Sequence, residues 1–317
     1  MREEIERLLR KGIDLRRRIL TSLDHAERVR LLSKLFEDFF VTQRSTLLKW
    51  AALTGQSAQI DTGYIAQHVA SIVLAEPGQG FKGKGVDLAD GSEVKSAAIL
   101  SGIDRPRWNH NLGKPADDVT RKEKSLEPAW MAYLTAPVVF YLLFDRTTPT
   151  EGEGDFALRV RAWCVDPAVD SAWHKLVTRF IDNRTATQYN FQLHPPVGYD
   201  DDIVVNTLGN LDMKGVKVLE ARMTGFRKGE TFEIEWVQEP PDRARPVSGR
   251  CVALRYGGRG DRPSRLTLPV ELETDLDELR ALIPNVDVEA LTQAVDADVS
   301  AVVEEERTLD EEPEGEA

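Results

Sequence analysis

Asp87, Glu93 and Lys95 are the residues of this chain whose types and spacing could do chemistry together. They lie in GKGVDLADGSEVKSA, Gly83 to Ala97, which reads as two short strands joined by a tight turn at Asp90-Gly91. Glycine accepts the positive φ that such turns need. Side chains alternate along a strand, so Glu93, Lys95 and Ala97 share a face, and the turn brings Asp87 beside them. The carboxylates of Asp87 and Glu93, completed by the Val94 carbonyl, suit a hard divalent cation such as Mg²⁺. Lys95 is placed to orient or deprotonate a water next to that cation, and burial there is expected to push its pKa down. Activated water, neutralised charge and a stabilised leaving oxygen are what phosphodiester hydrolysis requires. The competing reading is an exposed hairpin with an ordinary Glu–Lys pair, because E-x-K alone occurs by chance in almost any chain.

The elements around this stretch give it weight. Residues 2–21 and about 24–53 read as two helices, with Val29, Leu32, Phe36, Phe39 and Leu47 at helical spacing and Asp24 as an N-cap. Arg16, Arg17 and Arg18 form a basic cluster whose role, in packing or in clamping DNA, stays open. A third helix covers Asp61 to Ala75, with Ile65, Val69, Ile72 and Val73 as its apolar face. Asp61 either caps that helix, the favoured reading, or reaches the site as an additional acid; Gln67 lies on another face. The glycines at 78, 80, 83 and 85 are a poor phosphate cradle, since no GKS or GKT follows.

Beyond the hairpin, DRPRWNHN (Asp104 to Asn111) reads as a polar loop. Arginine contacts guanine and phosphate, and asparagine reads adenine, so Arg105, Arg107, Asn109 and His110 are candidate DNA contacts. Pro137 to Asp145 is a continuous apolar run, expected to be a buried central strand, with Phe156 to Val165 as its alternating neighbour. Pro167 to Asn183 reads as a helix, and Asn190 to Leu193, Gly215 to Met223, Thr231 to Val237 and Arg250 to Tyr256 as strands. His194 has no partner nearby in sequence. Arg259, Arg262 and Arg265 form a possible phosphate-contacting patch.

Composition constrains partners less than it first suggests. Of the 317 residues, 53 are acidic and 41 basic, a formal charge of −12. Residues 271–317 alone carry −15, leaving the body at +3, so the acidity belongs to one end. That end reads as an acidic helical segment from Leu272 to about Glu306, followed by a tail of disordered composition. A partner-binding helix, a DNA mimic and a solubilising tail all fit it, the last being favoured. Two cysteines without a CxxC pair argue against a structural zinc or a disulfide framework and fit a cytoplasmic protein. No apolar run is long enough to span a membrane, and the charged N-terminus lacks the apolar core of a signal peptide.

The order helix, hairpin, strand, helix, strand resembles the α/β core of PD-(D/E)XK nucleases, with Val86 where that pattern names proline. GQSAQIDTGYIAQHVASIV, GFKGKGVDLADGSEVKSA, DRPRWNHNL and NFQLHPP together resemble the MamI family of type II restriction endonucleases over about residues 55–225. The resemblance implies Mg²⁺-dependent, sequence-specific double-strand cleavage of DNA within a restriction–modification system, beside a cognate methyltransferase. It puts Asp87, Glu93 and Lys95 at the positions of the nuclease motif, with Gln67 where an upstream glutamate might be expected. The expected architecture is α/β: a restriction-endonuclease-like core with a mixed sheet flanked by helices (55–225), an N-terminal helical region (1–54), a C-terminal β/α region (226–307) and an acidic tail (308–317). A homodimer follows from symmetric cutting of a palindromic site. Rival readings are a repair or junction-resolving nuclease of the same superfamily, an RNA-directed nuclease, and a DNA-binding protein without catalysis on the same fold.

Overall fold

A computed structural model describes residues 2–56, 60–78, 87–99, 106–145, 158–195, 204–206, 212–213, 216–223, 232–240 and 276–298. The N-terminal periodicity gives helix α1 (Arg2–Ser22) and then α2 (His25–Phe36), which Asp24 caps by accepting from the Glu27 N–H. The expected single helix over 24–53 is broken by a π-helical turn at Glu37–Gln43 before α3 (Arg44–Thr54). The wider turn buries Phe40 and Val41 where a strict 3.6-residue period points to Phe39. Helix α4 (Thr62–Leu74) follows, ending at Ala75 in the left-handed region.

The main sheet runs β1 (Glu93–Ile99), β3 (Val139–Asp145), β4 (Leu158–Val165), β8 (Val216–Met223), β9 (Glu233–Trp236) in that spatial order. β1 pairs parallel with β3, and the remaining pairs are antiparallel. A second sheet runs β2 (Trp108–Asn111), β5 (Asn190–His194), β6 (Val204–Asn206), β7 (Asp212–Met213). Helix α5 (Pro115–Glu123) follows β2, the short α6 (Ala132–Thr135) precedes β3, α7 (Ser171–Asn183) lies between β4 and β5, and α8 is Leu276–Leu282. Helix α7 starts four residues after Pro167, because Asp170 caps the Ala172 and Trp173 amides.

β3 reads as an unbroken apolar run because apolar layers cover both its faces. Phe140, Leu142 and Phe144 meet Phe36, Phe40 and Val69 on one side. Val139, Tyr141 and Leu143 meet Trp108, Trp163 and Trp173 on the other. β3 is second in the sheet, with β4 at its centre. The arginines alternating along β4 do not face solvent: Arg161 is fully buried on Asp145, and Arg159 is buried on Glu220. Glu220 also accepts from Lys217 and Arg222, and these bonds outweigh burial to draw its pKa down to about 2.

The acidic C-terminal segment departs from a solubilising tail. Ile283, Val288 and Val295 are buried against Leu15, Ile19, Leu23 and Leu31 of the N-terminal helices. Asp296 and Asp298, on the helix over residues 288–298, pair with Lys11 and Arg18. Arg17 instead forks onto buried Glu76, at 2.6 and 3.0 Å. Arg17 and Arg18 of the basic cluster are therefore engaged inside the chain. Gly83 to Val86, Arg105, Arg250 to Tyr256, the arginine patch at 259–265 and the terminal tail lie outside the described residues.

Candidate active site

The turn at Asp90-Gly91 forms as its residues require. Asp90 is buried and accepts from both the Ser92 amide (2.8 Å) and the Ser92 hydroxyl (2.9 Å). Gly91 sits at φ 98°, a conformation that strains any residue with a Cβ. The Asp87 and Leu88 amides both donate to the Ser92 carbonyl. The expected first strand is reduced, among the described residues, to Leu88 bridging Gly78. The second strand is β1, whose ladder starts with the Glu93 amide donating to the Val138 carbonyl at 3.0 Å.

This turn carries Asp87 back over the start of β1. One Asp87 oxygen accepts from the Val94 amide and the other from the Gln67 side-chain amide, each at 2.8 Å. The Lys95 ammonium lies 2.7 Å from Glu93, 3.9 Å from Asp87 and 3.4 Å from the Val94 carbonyl. Glu93 is 5% exposed. Burial, with the neighbouring Asp87 adding, pushes its carboxyl up to about 7 against the opposing pull of Lys95. Burial also works against the Lys95 charge, but Glu93, Tyr133 and Asp87 outweigh it and raise the lysine pKa. With no cation present, carboxylates thus enclose the amine and hold it protonated, whereas the expected depression concerns a lysine beside a bound cation.

Aromatic rings back the amine. Lys95 sits 5.5 Å from the Tyr133 ring centroid, a cation–π distance. Tyr133 meets His110 edge-on, and His110 stacks on Phe191 at 4.0 Å. Among the described residues, the groups that could hold a cation here are oxygens: Asp87, Glu93 and the Val94 carbonyl. The Glu93 and Asp87 carboxyl groups converge on the Lys95 ammonium, which among the described residues is the cation that faces both. That donor set fits a hard divalent cation.

The MamI restriction endonuclease family model matches residues 49–223, a span containing every group just described. The type II restriction enzyme MamI of Microbacterium ammoniaphilum is 54% identical over 287 residues, covering 90% of this chain and 92% of that one. This chain belongs to the MamI restriction endonuclease family. It is a site-specific endonuclease and hence a hydrolase. No solved structure matches it.

Within this MamI-family chain, the remaining expected site residues separate clearly. Asp61 is exposed, and its carboxylate accepts from the Gly63 amide at 3.0 Å, as a helix cap does. Gln67, expected on another face of α4, is the residue that touches Asp87. The apolar stripe of α4 includes Ala66 and Ala70 as well as the larger residues. Counting only large side chains misplaces the face, since Ala66 and Ala70 are fully buried in the cluster that also holds Val94 of β1.

The run DRPRWNHN is not a surface loop beyond Arg107; it becomes β2, paired antiparallel with β5. Alternation leaves Asn109 exposed beside an exposed Arg107, and turns Trp108 and His110 inward. His110 is corrected as a DNA contact: it is fully buried, 2.7 Å from the Tyr141 hydroxyl and 3.3 Å from the Phe191 carbonyl. Burial, with Lys95 adding, holds its pKa well below the usual histidine value. His194, given no partner in the sequence reading, bonds the Pro106 carbonyl at 3.0 Å. Among the described residues no helix is long and apolar enough to cross a membrane.

Proposed function

We propose that this endonuclease cuts both strands of DNA by Mg²⁺-dependent phosphodiester hydrolysis on a PD-(D/E)XK core, with Asp87, Glu93 and Lys95 as catalytic residues. The convergence of these three groups on one end of β1 carries the reading. Asp87, fixed by the Gln67 amide and the Val94 N–H, presents a rigid carboxylate. Glu93 and the Val94 carbonyl complete an oxygen donor set. Mg²⁺ held there would polarise the attacking water and the phosphoryl oxygens. The protonated Lys95 offsets charge gathering on the phosphate and orients the water through its remaining hydrogens. A homodimer supplies one site per strand, since each chain brings one such constellation. Protection of host DNA by a cognate methyltransferase completes the system.

The test is digestion of unmethylated phage DNA in Mg²⁺ by wild type, Asp87→Ala and Lys95→Ala. Wild type should give discrete fragments, and each variant should lose at least about 100-fold in rate. Lys95→Ala should still bind DNA in Ca²⁺. A folded variant that cuts at the wild-type rate would overturn the assignment.

A further inference from the structure

The outward face of β2 and its partner β5 carries an unusual composition. Asn109 lies directly opposite Gln192, and Asn111 opposite Asn190. In this four-rung ladder the other two rungs, Trp108 with Leu193 and His110 with Phe191, are buried. Every outward position of the ladder is therefore a side-chain amide. Asparagine is among the residues depleted from strands, whereas threonine is enriched in them and lysine is common on sheet edges. Asn109 is exposed and makes no side-chain hydrogen bond among the described residues. Asn190 is exposed as well, Asn111 accepts from the Gly113 amide, and Gln192 is half-buried. Exposed cations stand at the two ends: Arg107 before β2, and Lys114 over the Tyr189 ring beside Asn190.

We propose that this amide face is the base-reading surface, entering the DNA major groove as a two-stranded ribbon and contacting adenines, with Arg107 and Lys114 on flanking phosphates. It rests on the nuclease reading for its ligand and extends it to the recognition element. The dimensions fit. The major groove, about 12 Å wide, admits a two-stranded ribbon, and an amide side chain pairs with both N6 and N7 of adenine. Residues two apart on a strand are about 6.8 Å apart, close to two base-pair steps of about 3.4 Å. The ribbon is also rigidly tied to the catalytic strand. Its inner face holds Trp108, whose indole donates to the Leu142 carbonyl of β3 at 2.8 Å, and His110, which packs on the Tyr133 backing Lys95. Base contacts made there are thus held at a fixed offset from the scissile bond.

The experiment selects duplexes from a random library in Ca²⁺, comparing wild type with the exposed double variant Asn109→Ala/Asn190→Ala and with Asn109→Asp. Wild type should enrich a defined sequence. The double variant should keep its non-specific affinity and its melting temperature, and lose about 10- to 100-fold of its preference at A·T positions. Replacing those adenines by 7-deaza-adenine should weaken wild type and leave the double variant unaffected. The ribbon assignment is overturned if wild type enriches nothing, if the variants enrich the same sequence equally well, or if 7-deaza-adenine affects both proteins alike. Cleavage of the enriched duplex in Mg²⁺ reads the other question. Enrichment that depends on the amides without any cleavage supports the ribbon and sinks the nuclease assignment.

Discussion

Glu93→Gln in the absence of divalent cation should flatten the pH dependence of folding stability. The Glu93 carboxyl is raised from 4.5 to about 7 in the folded chain, chiefly by burial. Between those values the folded protein keeps a proton that the unfolded chain has released. The contribution is therefore fully present below pH 4.5 and is lost as pH rises through about 7. At about 1.4 kcal/mol per unit, the loss is about 3 kcal/mol. Glutamine has no proton to release, so its variant lacks this slope. Lys95 adds none within the window, because its own pKa is raised from an already high value. Other titrations are shared and cancel in the difference. Urea melts in EDTA at about pH 4.5 and about pH 7.5 give the two free energies for each protein. Wild type should lose about 3 kcal/mol more than Glu93→Gln, and Mg²⁺ should shrink that gap at the higher pH by favouring the charged carboxylate. Parallel profiles, agreeing within about 0.5 kcal/mol, would show that burial at this position does not raise the carboxyl and that the geometric argument fails.

Other residues make sharper distinctions between neighbouring roles. Gln67→Ala removes one of the two hydrogen bonds fixing Asp87, and single-turnover cleavage should slow by roughly 10-fold with DNA affinity in Ca²⁺ unchanged. His110→Ala should destabilise the fold by about 2–4 kcal/mol in urea melts, through a lost stack and an orphaned Tyr141 hydroxyl, while a surface DNA contact would cost binding and no stability. Val288→Ala should cost about 1–2 kcal/mol, since Val288 is fully buried against the N-terminal helices; a detached solubilising tail would register nothing.

Local order was legible in the sequence wherever one pattern dominated. The Asp90-Gly91 turn, the Asp24 cap and the apolar run of β3 each follow from one or two residue types, and the first two are visible as hydrogen bonds or a positive φ. What the sequence left ambiguous was which neighbour each face meets. Arg159 and Arg161 alternate as solvent-facing residues do, yet a carboxylate on the next strand lets each be buried. His110 has the sequence context of a polar loop, and only the pairing of β2 with β5, about eighty residues away, turns it inward. The acidic helix over 288–298 has a thin apolar stripe, and its docking depends on a matching face at the other end of the chain. Non-local partners of this kind leave no trace in local periodicity.

Gln67 shows how such a partner alters the chemistry of a site already found. A carboxylate at that position would have no hydrogen to give Asp87, and three acidic groups would then surround one ammonium. The amide instead donates to one Asp87 oxygen while the Val94 N–H holds the other. Asp87 is thereby aimed by neutral donors, and the variable charge is left to Glu93, whose carboxyl is raised to about 7. Without a divalent cation, Lys95 serves as counter-ion to that pair, which is why it is held protonated rather than poised as a base. A cation drawn to the same oxygens competes with Lys95 for them and supports ionised Glu93. Cation binding should therefore release roughly half a proton per site at about pH 7, approaching one well below that pH and zero well above it, measurable by titration in buffers of differing ionisation heat. Glutamate at position 67 would add a donor and a second titrating group, so Gln67→Glu should raise both cation affinity and the number of protons released. Unchanged proton release in that variant would mean that position 67 does not set the charge of the site.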